Sequence, residues 1–262
     1  FRYDSAAVEP LERQFLLSSG EIVGAVRHVS DDERDRLRIE LLSEEAMRTS
    51  AIEGEVLDRA SVQSSLRRQF GLTADDAPSK PREHGVAEMM VDVYSTYATS
   101  LTHDTLYRWH RMLLSHDRSL EAIGAYRGLD DAMQILSGRI DRPTVHFEAP
   151  SSAKVQGEMN VFLAWFNRTA PEGATPLPAL TRAALGHLWF ESIHPFEDGN
   201  GRLGRALAEK SLAQNIGQPS LIALAYTFER DRKGYYDQLE IHQKTLNVTA
   251  WLRWFAETVR RA

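Results

Sequence analysis

The chain has 262 residues, 42% hydrophobic and 26% charged, an ordinary globular balance with enough apolar material for a buried core. It contains no Cys, which excludes disulfides, zinc–thiolate sites and thiol nucleophiles and fits a reducing compartment, the cytoplasm by default. A net charge of -6 supplies no general basic field for nucleic acid, although a local cluster could still hold a nucleotide. No stretch approaches the roughly 20 apolar residues that cross a bilayer, and the N-terminus lacks the basic-then-apolar order of a signal peptide, so the chain reads as soluble. Phe1 in place of Met reads as a piece trimmed from something longer.

Helical periodicity dominates. The first predicted helix runs over 30–52, entered through Ser30-Asp31-Asp32, carrying Leu37, Leu41 and Leu42, and stopped by Gly54. A short helix follows over 58–70. The segment 71–81, with two prolines and no apolar period, reads as a linker, dividing an N-terminal helical region (1–80) from a larger unit (81–262). Helices are expected over 83–99 and 104–115, the second entered through Thr102 and facing the core with Leu106, Trp109, His110, Leu113 and Leu114. The one strand signal lies in 133–147, where a Ser-Gly turn separates two apolar runs in an expected hairpin closed by Pro150. A lone hairpin is marginal by itself, so a helical body must support it. Further helices are expected over 152–167, 180–193, 200–215, 230–244 and 249–261. The class is all-α with one hairpin.

Reactive groups concentrate in the run His194-Pro195-Phe196-Glu197-Asp198-Gly199-Asn200-Gly201-Arg202-Leu203-Gly204-Arg205, between two predicted helices. Gly199 and Gly201 allow backbone N–H groups to approach an anion closely, and the helix that starts there points further N–H groups the same way. Arg202 and Arg205, three apart on the new helix, share a face and add two forked cationic donors, so the whole suits a di- or triphosphate. Asp198 beside this cradle could hold a magnesium ion bridging phosphate oxygens. His194 ends the preceding helix, where a neutral imidazole could take the proton of an attacking hydroxyl. Taken singly, each residue reads as an ordinary helix end, turn or solvated charge; it is their spacing that points to chemistry.

The run resembles the Fic signature, His-x-Phe-x-Asp/Glu-Gly-Asn-Gly-Arg-x-x-Arg, at every specified position. The resemblance, which covers about 83–262, implies a Fic-type helical bundle with a β-hairpin flap. It implies a base in His194, Mg²⁺ or Mn²⁺ on Asp198, ATP phosphates on Gly199, Asn200, Gly201 and Arg202, the γ-phosphate on Arg205, and a core-facing Phe196. It places Tyr235 and Tyr236 on the adenine side. It gives the flap residues Ile135, Leu136, Val145 and His146 the docking of an extended target by strand addition. The family's phosphotransferring branch usually carries Lys where this chain has Gly201, which favours nucleotide transfer.

Upstream, Thr49-Ser50-Ala51-Ile52-Glu53-Gly54 fits the family's inhibitory pattern Ser/Thr-x-x-x-Glu-Gly/Asn. Glu53 falls in the last turn of its helix, where the macrodipole disfavours an anion, so a cationic partner is expected, and Arg205 is the candidate. The activity implied is transfer of AMP from ATP to a Ser, Thr or Tyr hydroxyl of a target protein or of the chain itself, restrained from within by Glu53. Removal of AMP by water positioned on Glu53, a ligand-sensing module whose DNA-binding part lies beyond Ala262, and other donors such as UTP or a phosphocholine carrier stay open. So does pairing of two copies. No membrane contact is expected, nor nucleic-acid binding through this region.

Overall fold

One helix is apolar almost all the way round, and the rest of the chain gathers about it. The structure, a computed structural model, describes residues 1–74, 80–128, 134–139, 142–220 and 222–262, with backbone alone described over 134–139 and 142–146. Among these the helices are α1 (Glu9–Val26), α2 (Asp31–Ile52), α3 (Arg59–Gln69), α4 (Pro81–Ser95), α5 (His103–Leu114), α6 (Ser152–Arg168), α7 (Ala179–Ile193), α8 (Asn200–Ile216), α9 (Leu224–Arg230), α10 (Arg232–Gln243) and α11 (Thr249–Val259). The two strands, β1 (Gln134–Arg139) and β2 (Arg142–Glu148), form an antiparallel hairpin between α5 and α6. Helix α7 is the apolar one, with both its Ala-Leu stretch and its polar Thr181, Arg182, His187 and Glu191 buried. Such a helix belongs at the centre of its domain. None of the described helices is long and apolar enough to cross a membrane.

Two hydrophobic clusters meet at α7 and α8. The first joins Ile39, Ala46, Val62 and Leu66 to Met89, Trp109, Phe162, Phe166, Phe190, Phe196 and Leu203. The second joins Val8, Phe15 and Ile52 to Leu180, Leu188, Leu212, Phe228, Tyr235, Trp251 and Phe255. Each large side chain taken out of water contributes about 1.5–3 kcal/mol. Helix α3 is thus built into the first cluster, α1 into the second and α2 into both, so α2 is packed into the body along much of its length.

The periodicity locates most helices to within a few residues, and the exceptions have local causes. The expected helix 83–99 ends four residues early, where the buried Lys210 ammonium donates to the carbonyls of Thr96 (2.6 Å) and Tyr97 (2.9 Å). The expected helix 230–244 starts at Arg232, because Asp231 leaves the helical conformation (φ -126°, ψ 50°) and caps that start by accepting from the Gly234 N–H; α9, which precedes it, has no counterpart in the sequence reading. The Ser137-Gly138 pair is no turn: it lies within β1, paired with Thr144 and Pro143, and the ladder runs on to Arg139 opposite Arg142. Helix α1 has no counterpart in the sequence reading. Its Pro10 suits a first turn, but Gly20 and Gly24 weaken its propensity, and among its residues only Glu12 and Phe15 are buried.

What fixes α1 is a carboxylate. Glu12 accepts from the N–H groups of Leu180 (3.0 Å) and Thr181 (2.7 Å) and from the Thr181 hydroxyl (2.8 Å). These are orphan donors at the start of α7, whose own N-cap is Pro178 with no side-chain cap. Glu45 does the same for α9 by accepting from Ala225 N–H at 2.8 Å. Glu12→Ala is therefore expected to lower the stability of the whole fold by about 1–3 kcal/mol, the penalty of leaving buried donors unpaired. Urea unfolding measures it, and a loss under about 0.5 kcal/mol would show that water replaces the carboxylate without penalty.

Candidate active site

The site is where α7 ends, α8 begins and the last turn of α2 arrives. Helix α8 starts after Gly199, whose φ of 80° lies in the left-handed region open to glycine. The first intrahelical bond is that of Leu203 N–H to the Gly199 carbonyl, so the N–H groups of Asn200, Gly201 and Arg202 precede the ladder and form a positive helix end. The loop leading there is closed by Asn200, whose side chain accepts from Phe196 N–H (3.0 Å) and donates to the Phe196 carbonyl (2.9 Å). Asn200 thus spends its side chain on the loop, leaving only its backbone N–H for an anion. Phe196 is fully buried and stacks on His110 with centroids 4.3 Å apart. His110 in turn accepts at Nδ1 from Gly124 N–H (2.9 Å) and reaches the Asp198 carbonyl from Nε2 (3.2 Å). Burial holds its imidazole neutral, its pKa lowered to about 4.

His194 closes α7 at φ 50° and ψ 60°, and no other described residue except glycine has a positive φ. That conformation costs a non-glycine residue about 1–2 kcal/mol. Arg127 holds it: its N–H donates to the Pro195 carbonyl (2.9 Å) and its Nε to the His194 carbonyl (2.8 Å), while the rest of its guanidinium binds the Pro150 carbonyl and the Ser152 hydroxyl. Nothing in the sequence near Arg127 announced this. The His194 imidazole is lowered to about 4 by burial and, second, by the charge of Arg127, so it is neutral at pH 7. Its Nδ1 is buried without a well-formed hydrogen bond, although the Glu191 carbonyl lies near. A neutral, unengaged imidazole is the form a general base requires.

Arg205 is 1% exposed and grips the end of α2. Its Nε donates to the Thr49 hydroxyl (2.7 Å), and one terminal nitrogen donates both to the Thr49 carbonyl (2.9 Å) and to Glu53 Oε1 (2.7 Å). Burial alone would raise the Glu53 pKa, but the charge and hydrogen bond of Arg205 outweigh it and hold the carboxyl below its ordinary value. The same carboxylate lies against Gly201 so closely that a Cβ there would collide with Oε1. An anion therefore already occupies the helix end, and it is the chain's own. Gly54, at φ 84°, ends α2 with two further bonds, Gly54 N–H to Ala51 carbonyl and Glu55 N–H to Ser50 carbonyl, both 3.0 Å. These are the paired closures of a Schellman ending.

Arg202 is bound as well. It meets Glu55 at 2.7 Å and Asp198 Oδ2 at 3.6 Å, its side chain 4% exposed. Glu55 was not among the residues that the sequence singled out. The Asp198 carboxylate is 53% exposed and otherwise accepts only from the N–H of Gly199. No group of three or more His, Cys, Asp or Glu converges among the described residues. Asp198 therefore offers a single open carboxylate, which fits a magnesium ion that takes its other ligands from phosphate and water.

One expectation changes. Tyr235 is 1% exposed, its hydroxyl bound to His187 Nε2 (2.8 Å) and its ring stacked on Phe228 at 4.6 Å, so it belongs to the core behind Arg205 and has no free face for a base. Tyr236 is 39% exposed, with its hydroxyl 3.4 Å from Glu53 Oε2, and stays beside the site. The side chains of Ile135, Leu136, Val145 and His146 lie outside the described residues; the backbone pairs Ile135 with Phe147 and Leu136 with Val145, with an irregularity between the two pairs.

Comparison with known proteins agrees with this geometry. Residues 1–72 match a domain of unknown function, DUF4172, and residues 100–212 match the Fic/DOC family. A protein adenylyltransferase Fic of Nematostella vectensis is 28% identical over 194 residues, 73% of this chain and 41% of that one. The chain spans about two-fifths of the length of the curated relatives it matches. Two solved structures share the fold at a TM-score of 0.69: a Fic family protein from Desulfovibrio desulfuricans (23% identity, 97% of this chain, 73% of that one) and a Fic domain containing signaling protein from Bacteroides thetaiotaomicron (20%, 96% and 93%). Residues 100–212, with the complete signature from His194 to Arg205 inside them, are thus similar to the Fic/DOC family.

Proposed function

We propose that this chain transfers AMP from ATP to a protein hydroxyl, its own included, and that Glu53 restrains the transfer. The carrying observation is the Glu53 carboxylate seated on Gly201 and paired with buried Arg205, because the place and partner it takes are those a phosphate would use. The names of the curated relatives support the same reading. In this reading 81–262 is the catalytic unit and 1–80 the regulatory one.

The target oxygen forms a bond to the α-phosphorus of ATP while the bond from that phosphorus to its bridging oxygen breaks, and pyrophosphate leaves. The hydroxyl proton passes to the neutral imidazole of His194. Backbone N–H groups of Asn200, Gly201 and Arg202 stabilise charge on the phosphates, with Arg202 and Arg205 as forked donors. Asp198, together with the phosphates, would hold Mg²⁺ or Mn²⁺, which when bound neutralises phosphate charge. Tyr236 offers its half-open ring to the adenine. The hairpin β1–β2 would receive an extended target segment and bring its hydroxyl to His194. While Glu53 holds Arg205, the γ-phosphate lacks its anchor and the α-phosphorus is out of line.

Incubation with α-labelled ATP and Mg²⁺ should label Glu53→Gly at least about tenfold faster than the native chain, as expected when one strong charge-assisted contact is restored to the phosphates. His194→Ala in that background should abolish labelling, and mass spectrometry should find the gain of one AMP. A folded, ATP-binding Glu53→Gly protein that stays unlabelled, with and without candidate target proteins, would sink the proposal.

The pH profile offers a second test. A base with the ordinary histidine pKa near 6.5 would lose about tenfold in rate between pH 7.5 and 5.5, as the imidazole protonates. Here protonation begins only toward pH 4. The single-turnover rate of Glu53→Gly should therefore stay within about twofold across that range. A tenfold fall would place His194 back at its ordinary value.

A further inference from the structure

Removing Glu53 frees one arginine, yet the other stays covered. The chain that turns at Gly54 places two acids on two sides of the turn, and two arginines one helical turn apart on α8 receive them: Glu53 meets Arg205 and Glu55 meets Arg202, each at 2.7 Å. Glu55 is not a loose surface residue. Its N–H closes the Schellman ending on the Ser50 carbonyl, which fixes its backbone, and its side chain is 22% exposed against an arginine that is 4% exposed. An exposed pair contributes little, about 0–1 kcal/mol, but one this covered is harder to displace.

We infer that Glu55 is a second restraint with a task distinct from that of Glu53: it competes with the nucleotide for Arg202 and so sets how tightly ATP binds. Glu53 acts on whether the bound nucleotide is aligned. The inference rests on the reading of Arg202 as a phosphate ligand. Its chemistry follows from the local charge balance. Glu53, Glu55 and Asp198 face Arg202 and Arg205, so the closed site carries three negative and two positive charges. A polyphosphate entering must displace at least one carboxylate or be repelled by it. Loss of Glu53 leaves Asp198 and Glu55 both on Arg202, the residue nearest the start of the helix.

The test compares the native chain, Glu55→Gln, Glu53→Gly and the double variant by calorimetric titration with ATP and Mg²⁺, and by the KM and kcat of self-labelling. Glu55→Gln, nearly isosteric, should tighten ATP binding on the order of tenfold in both backgrounds. In the Glu53→Gly background it should lower KM and leave kcat within about twofold, the signature of an interaction lost equally in ground and transition states. Glu55→Ala should act in the same direction, which guards against a folding artefact of either change. If Glu53→Gly binds ATP and neither Glu55 variant shifts its affinity by more than about twofold, the role given to Glu55 is overturned while the nucleotide site stands. If no variant binds ATP, the nucleotide reading fails and this inference falls with it.

Discussion

The guanidinium of Arg205 is buried to 1% exposure, and its hydrogen bonds go to Thr49 and to the Glu53 carboxylate. Leaving such a charge without partners in the interior would cost several kcal/mol, and where buried Arg182 is satisfied by neutral acceptors, Arg205 takes a carboxylate. Around it the other ionisable groups are kept neutral. Burial raises Glu191 to about 8 and lowers His187 to about 3, while Tyr235 closes the back with its hydroxyl on His187. The interior behind Arg205 therefore offers no ready counter-charge. The anion comes from the front, where the last turn of α2 and the first turn of α8 face each other, and the Glu53 carboxylate lies over Gly201.

The scaffold makes that competition cheap to decide. Helix α2 is held by Ile39, Ala46 and Ile52 in the two hydrophobic clusters and by Glu45 on the start of α9, so the whole helix has little freedom to leave. Release of the whole helix would undo that packing. Its packing favours a smaller event instead. Arg205 keeps two bonds to Thr49 that do not involve the carboxylate, so a change confined to the Glu53 side chain could open the cradle with α2 still in place. Rotating one side chain out of an ion pair disturbs far less buried area than undocking 22 residues.

How much of this could be read beforehand depended on distance along the chain. The signature from His194 to Arg205 was legible because a loop and a helix start hold their chemistry at fixed spacing. Glu53 was legible because an anion at a helix C-terminus is itself out of place. Arg127, Glu12 and Glu55 were not: their partners lie 67, 168 and 147 positions away, and none sits in a pattern of its own. Helix α1 escaped for the same reason, since a distant cap rather than a broad apolar face secures it. Tyr235 misled because an aromatic pair looks alike whether it faces a base or a core, and only burial separates the two neighbours.

His194 shows where the fold keeps its strain, and why the restraint can be separate from the catalytic parts. Its left-handed backbone is unfavourable for a residue with a Cβ, and Arg127 offsets this by binding the carbonyls on either side, including that of Pro195. The imidazole is thus aimed by its backbone, neutral by burial, and affected by the state of Glu53 only through an electrostatic coupling that raises its pKa and is smaller than the lowering by burial and Arg127. In the proposed reaction the base is complete before any nucleotide arrives. What the proposed restraint withholds is positive charge, in two arginines paired with acids of the same chain. A design of this kind can stay folded and catalytically assembled at all times, and needs only a change of counter-ion to begin work.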